Sequence, residues 1–341
     1  MNLKRIYHYE FWPFWVFYIP SYFYYFWLAL KSRKWVYFSV LNPCMNFGGA
    51  FLSSKFNYLK HVPENWKPKT LFLNANEDIA DVHKKIEEEK MLFPVIAKPD
   101  MGERGKNVKL ISSISELNHY LKKTSQTSII QEYITYPIEL GILFYWDAEK
   151  NPKISSVGVK EFCQIQGTGK DTLEALVKKN HRIAHRIDVL KKTFAKKWQT
   201  IIPKGDKILL EPIGNHNLGT TFYDARKHYT KDMLDWTAEC VSHIPGFDYG
   251  RLDVKIKNWD AFKSKKGIKV LEINGVNAEP IHIYDPSYSI WKAYSDIFRH
   301  MDIIYVLSKK KLKQKKKTQS LCDFLRGSKE VLKTKNATQI L

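Results

Sequence analysis

The chain has 341 residues, 44% hydrophobic and 26% charged, enough to bury cores in about two or three compact units and to exclude wholesale disorder. Lys and Arg number 55 against 35 Asp and Glu, a net charge of +20, but residues 309–341 hold eleven bases and two acids and so supply +9 of it. The remainder is moderately basic, which suits a nucleotide or an anionic membrane surface; no specific nucleic-acid partner is expected, because no nucleic-acid motif accompanies the charge.

Residues 11–30 hold twelve Phe, Trp or Tyr and no charge, with Lys4 and Arg5 before them and Lys31, Arg33 and Lys34 after. Membrane spans are rich in Leu, Ile and Val, whereas Trp and Tyr concentrate at the headgroup level. Pro13 and Pro20 interrupt a single continuous helix, and no small-residue cleavage site follows to suggest a signal peptide. Residues 1–52 therefore read as an aromatic segment forming a monotopic anchor on an anionic membrane. The alternatives are aromatic segments packed on the protein's own core or in a dimer, and a true span. The bases of 309–317 fit the same contact, at about 1 kcal/mol each near an anionic surface, or an ordinary solvated tail; residues 306–341 are assigned as a basic C-terminal tail.

Residues 36–41 read as a short strand ended by Asn42 and Pro43, before a Gly48–Gly49 turn. Beyond Ser53, strand-like stretches at 92–98, 107–111, 128–133, 138–146, 207–211, 252–256 and 268–273 interleave with helical ones at 115–123, 172–180 and 231–244. The elements do not alternate regularly, so the expected class is α+β rather than a doubly wound sheet. Cys44, Cys163, Cys240 and Cys322 lie 77 to 119 residues apart. With no C-x-x-C or Cys/His spacing, neither a zinc site nor a disulfide framework is expected, and the compartment reads as reducing.

Three constellations carry chemistry. The first is P-V-I-A-K-P-D-M-G-E-R-G-K-N-V at 94–108: Lys98 closes a buried strand, and Gly102 and Gly105 let backbone N–H groups approach phosphate oxygens, though a solvated hairpin turn would look similar. The second is Q-E-Y-I-T-Y-P-I-E-L-G-I at 131–142, where Glu132 and Glu139 flank a linker able to bind an adenine edge through its backbone and ribose hydroxyls through a carboxylate. The third pairs G-R-L-D-V at 250–254 with L-E-I-N-G at 271–275. Asp253 and Glu272 fall on adjacent strands between apolar neighbours, and Asn274 shares the face of Glu272. Buried carboxylates are costly unless paired or metal-bound, and this donor set suits Mg²⁺ that keeps waters and bridges phosphates. The alternative is a buried salt bridge from Arg251. Arg251 is read as pointing to the opposite strand face, so a distortion or loop is expected to bring it to the site.

Together these segments resemble the ATP-grasp superfamily, and within it the carboxylate–amine ligase branch of D-alanine–D-alanine ligases and cyanophycin synthetases. The likeness covers about residues 53–284, with G-R-L-D-V and L-E-I-N as its most specific part. It implies an ATP-grasp fold of two α+β lobes holding ATP between them, over residues 53–305. By this resemblance Lys55 (after Ser54 and before Pro63) and Lys98 are the two ATP lysines, with Gly102, Arg104 and Gly105 in the phosphate loop. Glu132, Tyr133 and Ile134 form the adenine hinge and Glu139 contacts the ribose. Asp253, Glu272 and Asn274 hold magnesium, with two ions, and Arg251 and Lys98 stabilise the transferring phosphoryl group. The stretches 167–177 and 203–220 are similar to cyanophycin-synthetase segments, except that Asn217 replaces a serine.

Two departures matter. Only about 52 residues precede the resemblance, where these ligases carry a substantial domain, and residues 276–280 replace the usual T-x-P-G ending. His282, Tyr284 and Asp285 are candidates for the second-substrate pocket, or form a structural turn before Pro286. The implied activity is ATP-dependent ligation of a carboxylate to an amine, or to a thiol, through an acyl phosphate, and the aromatic anchor adds the expectation that the substrate is membrane-associated. The rival readings are an ATP-grasp kinase acting on a small-molecule or lipid hydroxyl, a catalytically inert membrane scaffold, and last a polynucleotide binder. The expected location is cytoplasmic, peripheral on the inner face of the membrane.

Overall fold

The computed structural model describes residues 8–51, 53–102, 105, 107–180, 182–214 and 216–337. Its strands are β1 (Thr70–Leu73), β2 (Val95–Pro99), β3 (Lys109–Ile111), β4 (Ser128–Glu132), β5 (Ile138–Trp146), β6 (Pro152–Glu161), β7 (Gln164–Gln166), β8 (Lys207–Leu209), β9 (Thr221–Asp224), β10 (Tyr249–Ile256) and β11 (Ile268–Asn274). Strands and helices interleave as expected for the α+β class. The chain divides into a unit of Met1–Val159 with Tyr223–Leu341 and a unit of Lys160–Phe222.

The first unit contains two sheets. The smaller has the order β1-β4-β2-β3 and is antiparallel throughout. Two amphipathic helices cover one face, Ile79–Glu88, capped by Asp78 Oδ1 on the Ala80 N–H, and Ile114–Lys123, capped by Ser113 Oγ on the Glu116 N–H. Their apolar sides, Val82 with Ile86 and Leu117 with Tyr120, meet Leu73, Val95, Ala97, Ile111 and Ile130 in one core. Alternation along β2 then sends Ile96 and Lys98 to the other face.

The larger sheet has the order β11-β10-β5-β6-β9. Leu252, Val254 and Ile256 of β10 join Leu140, Ile142 and Phe144 of β5 on one buried face, which the helix Lys231–Ser242 covers with Met233, Trp236, Cys240 and Val241. Thr230 caps that helix through its hydroxyl on the Met233 N–H. The residues that alternate with this apolar face are the charged ones.

The aromatic N-terminus forms a turn of helix at Phe14–Phe17 and a helix at Ile19–Ser32, with Pro13 before the first and Pro20 in the opening turn of the second. Both are positions where a missing N–H and a fixed φ do no harm. Helix Ile19–Ser32 lies on the long helix Ile290–Lys313 through Tyr24 against Phe298 and the Tyr24 hydroxyl on Asp302 Oδ1 (2.7 Å). Lys4 and Arg5 lie outside the described residues.

Two expectations are corrected. Residues 36–41 are not a strand: Tyr37–Val40 is a 3₁₀ turn, and every side chain from Val36 to Leu41 is buried. The bulky run packs against Tyr305 on one side and Leu143, Tyr249 and Leu307 on another, so its composition reports burial and not strand pairing. Residues 309–317 are not simply a tail. Helix Ile290–Lys313 runs through residues 305 and 306, a second helix spans Leu321–Ala337, and Lys311 pairs with the buried Asp248. The strands β1 and β6 and the helices Ile79–Glu88 and Ile290–Lys313 are findings of the structure alone.

The second unit pairs β7 with β8 in antiparallel register and buries Cys163, Ile165, Leu173, Val177, Leu190 and Trp198 together. Thr172 caps the helix Leu173–Lys179. The stretches 167–177 and 203–220 both lie in this unit.

Candidate functional site

The candidate residues assemble on the inner face of the β10–β11 pair. In its register Arg251 stands opposite Asn274 and Asp253 opposite Glu272, so all four share one face. On the other side of β10, Asp253 stands opposite Gly141 and Lys255 opposite Glu139. The expectation that Arg251 needs a distortion to reach the acids is therefore corrected: residues two apart on a strand point the same way. Arg251 donates from Nε to Asp253 Oδ1 (2.9 Å) and from Nη2 to Asp253 Oδ2 (3.2 Å), and its Nη1 donates to the Glu279 carbonyl (3.0 Å). Two small residues make room. A Cβ on Gly141 would lie 3.1 Å from Arg251 Cδ and 2.8 Å from Ile281 Cδ1, and one on Gly250 would lie 2.2 Å from the Asn274 carbonyl oxygen.

The smaller sheet supplies lysines to the same place. Lys98 is buried; its Nζ donates to Gln131 Oε1 (3.0 Å), its diagonal neighbour on β4, and to the carbonyl of Leu271 on β11 (3.3 Å). Gln131 Nε2 reaches that same carbonyl (3.4 Å). Leu271 is available because the β10–β11 register skips it, with Asp253 opposite Glu272 but Val254 opposite Val270; a bulge turns the odd residue out of the ladder. Burial pushes the Lys98 ammonium down to about 8, against the pull of Glu272, Glu139 and Asp253 and with the push of Lys55. Lys55 opens the helix Lys55–Leu59, capped by Ser54. Its Nζ donates to the carbonyls of Gly102 (2.6 Å) and Asp100 (3.2 Å) and lies 3.9 Å from Glu272 Oε1.

The hinge candidates sit beside this cluster. Glu132 ends β4, and its Oε2 accepts the Lys69 N–H (3.2 Å). The Ile134 carbonyl accepts Lys255 Nζ (2.8 Å), which also lies 5.2 Å from the centre of the Tyr133 ring. Glu139 is buried opposite Lys255. Lys255 and Gln131 are candidates the motif reading missed. The alternation Arg251-x-Asp253-x-Lys255 was the available signal, since a third charge on that spacing continues the same buried face. Gly105 follows at a left-handed φ of 68°, and Arg104 lies outside the described residues.

The second-substrate candidates divide. His282 is fully buried between Ser156 Oγ (2.6 Å) and Asp296 Oδ2 (2.9 Å), and Asp285 accepts the Asp224 and Ser287 N–H groups. For these two the hydrogen bonds match the alternative of a structural turn before Pro286. The Tyr284 hydroxyl instead donates to Glu279 Oε2 (2.8 Å), next to the carbonyl that holds Arg251.

Asp253, Glu272 and Asn274 share one strand-pair face, but both Asp253 oxygens accept from Arg251, the buried salt bridge that the sequence left as the alternative. Asn274 turns Nδ2 toward Asp253 Oδ2 (3.5 Å); the side-chain chemistry present is two carboxylates and an amide. That chemistry fits a magnesium ion that keeps waters and phosphate oxygens as its other ligands. Among the described residues no group of three or more His, Cys, Asp or Glu could hold a metal by itself.

Residues 52–141 match the Tubulin-tyrosine ligase family, which is ATP-grasp-like. The resemblance is to the ATP-grasp ligases. The matched quarter of the chain carries Lys55, Lys98, the Gly102–Gly105 loop and the 132–139 hinge, but none of the β10–β11 residues. No curated protein sequence matches the chain. Among solved structures, the chain is similar to the VanG D-Ala:D-Ser ligase of Enterococcus faecalis (12% identity, 77% of this chain and 64% of that one, TM-score 0.44). It is also similar to the D-alanine–D-alanine ligase of Bacillus anthracis (13%, 77% and 69%, 0.42) and to a bifunctional glutathione synthetase of Pasteurella multocida (12%, 68% and 34%, 0.35). It thus spans less than two thirds of the VanG chain.

Proposed function

We propose that this protein is an ATP-grasp ligase that joins a carboxylate to an amine, or to a thiol, by way of an acyl phosphate, releasing ADP and phosphate, and that its substrate is membrane-associated. The observation that carries the reading is the convergence of Lys98, Lys55, Glu272 and the Arg251–Asp253 pair at the Leu271 bulge. Three buried or half-buried cations facing two carboxylates on strand faces suit a triphosphate with its divalent ions, because phosphoryl transfer needs placement and charge stabilisation more than covalent chemistry.

In this reading a carboxylate oxygen of the substrate attacks the γ-phosphorus, the bond to the β-phosphate bridging oxygen breaks, and ADP leaves. The amine then attacks the acyl carbon, inorganic phosphate departs with the bonding pair, and the amine proton passes to solvent. Lys98 is held by Gln131 and the Leu271 carbonyl, a placement from which its ammonium would meet phosphate oxygens of bound ATP. Arg251, anchored by the Glu279 carbonyl, offers its guanidinium to the transferring group. Asp253, Glu272 and Asn274 would hold two Mg²⁺ ions, which neutralise developing phosphate charge when bound. Ile134 and Tyr133 fit the adenine, and Glu139, opposite Lys255, fits the ribose.

The test is an ADP-release screen over carboxylate and amine pairs, with and without lipid vesicles, with hydroxylamine added to trap the acyl phosphate. Hydroxamate formation dependent on ATP supports the ligase. A stable phosphorylated product with no hydroxamate overturns it in favour of a kinase acting on a hydroxyl.

A further inference from the structure

Helix Ile19–Ser32 is apolar on both sides, and only one side is covered. Leu28 and Ala29 are buried, and Tyr24 and Tyr25 turn toward Phe298 and Tyr37. On the other side Ile19, Tyr22, Phe23, Phe26, Trp27 and Leu30 are 42% to 73% exposed. At 100° per residue these six fall within about 140° of the helix circumference. Trp35 extends the face through its edge contact with Phe26. A contiguous exposed apolar patch of this kind marks an interaction surface.

Charge identifies the occupant. The stripe carries no charge, and it ends at the exposed Lys31, Arg33 and Lys34. The fold adds bases from the far end of the chain: Lys31 and Lys309 both lie over the Tyr305 ring, at 5.5 and 5.8 Å. The C-terminal turn of helix Ile290–Lys313, with Lys310 and Lys313, therefore sits beside the C-terminal end of the aromatic helix. Aromatic rings that favour the headgroup level, closed by bases, match an anionic lipid surface. A second copy docked on this face would bring no acid from the stripe to meet those bases. Fourteen residues of helix reach about 21 Å, short of the roughly 30 Å hydrocarbon layer. Among the described residues no helix is long and apolar enough to cross a membrane.

The same segment reaches the candidate site. Tyr18, just before the helix, places its hydroxyl 3.3 Å from that of Tyr284. Tyr284 donates to Glu279, and the Glu279 carbonyl holds Arg251. We propose that the outer face of helix Ile19–Ser32 lies in the plane of an anionic lipid surface, with the adjoining bases on headgroups, and presents the Arg251 site to an amphiphile carried in that surface. The choice of amphiphile as substrate rests on the ligase reading; the docking itself does not.

The experiment is co-sedimentation of the full chain with vesicles of phosphatidylcholine alone or mixed with phosphatidylglycerol. Two variants accompany it, Phe23→Ser/Trp27→Ser/Leu30→Ser and Lys31→Glu/Arg33→Glu/Lys34→Glu. Wild type is expected to bind the anionic vesicles and to be released by salt, and each variant to lose at least about tenfold in partition. Both variants should keep wild-type ADP release on soluble substrates. Wild type that stays in solution, or variants that bind undiminished, overturn the docking. A dimer in sedimentation velocity that the aromatic variant dissolves, with no vesicle binding, gives the face to a second copy. Vesicle binding without ADP release on any carboxylate–amine pair keeps the docking and overturns the amphiphile substrate together with the ligase.

Discussion

The inner face of β10–β11 and the outer face of helix Ile19–Ser32 invert the usual placement of side chains in opposite senses. The strand pair buries Asp253, Lys255 and much of Arg251 where an apolar ladder would be cheaper, and the helix exposes Phe23, Trp27 and Leu30 where polar residues would keep a surface solvated. The costs differ in kind. Buried charges must be paired, and here each is: Arg251 with Asp253, Lys98 with Gln131 and a carbonyl, Lys255 with the Ile134 carbonyl. The exposed rings have no such pairing among the described residues, and the proposed lipid surface would cover them. The difference separates two proposals: the first inversion as a site for charged ligands, the second as a surface for a lipid layer.

The sharpest way to break this comparison is to neutralise the strand face. Asp253→Asn with Glu272→Gln should lower ADP release by about 1,000-fold, because it removes charges that phosphoryl transfer uses; turnover that persists would sink the magnesium assignment. Asp253→Ala alone should also destabilise the fold by about 3 kcal/mol in chemical denaturation, since it leaves the Arg251 guanidinium half-buried without its carboxylate.

Lys98 gives a pH signature. Its folded value of about 8 lies below the ordinary 10.5, so between those values the unfolded chain binds more protons and stability rises with pH. The charged form costs at most about 3 kcal/mol below pH 8, and that cost fades as the pH approaches 10.5. Lys98→Met should flatten the rise in denaturation curves taken across this window; an unchanged slope would place the titrating group elsewhere. Gly141→Ala should destabilise by about 1–3 kcal/mol by crowding Ile281 and Arg251, and should lower ADP release beyond any loss of folded protein. The smallest effect belongs to the helix face: Phe23→Ser/Trp27→Ser/Leu30→Ser should shift stability by no more than about 0.5 kcal/mol per site. A larger loss in thermal unfolding would mean that the stripe packs on the protein after all.

Much of this was legible beforehand. The acids of G-R-L-D-V and L-E-I-N are placed on adjacent strands from the sequence, and a run of rings without charge from Phe11 to Leu30 announces an unusual surface. The sequence reading puts Arg251 on the wrong face, although it stands two residues from Asp253. The failures have physical causes. Residues 36–41 have the composition of a strand, but composition cannot distinguish a ladder from a buried turn, and Tyr37–Val40 is wound into a buried 3₁₀ turn. His282 looked available from its place after the L-E-I-N motif, yet Ser156 and Asp296, distant in sequence, enclose it.

The sequence by itself determined which residue types could do chemistry and which face of each strand or helix they would share, because periods of two and 3.6 are local properties of the backbone. Only the tertiary structure decided that Lys98, from one sheet, meets a carbonyl that a bulge exposes on the other. It also brought Lys309 beside Lys31 across nearly the whole chain. Such meetings depend on how elements pack over long sequence separations, and no local period encodes them.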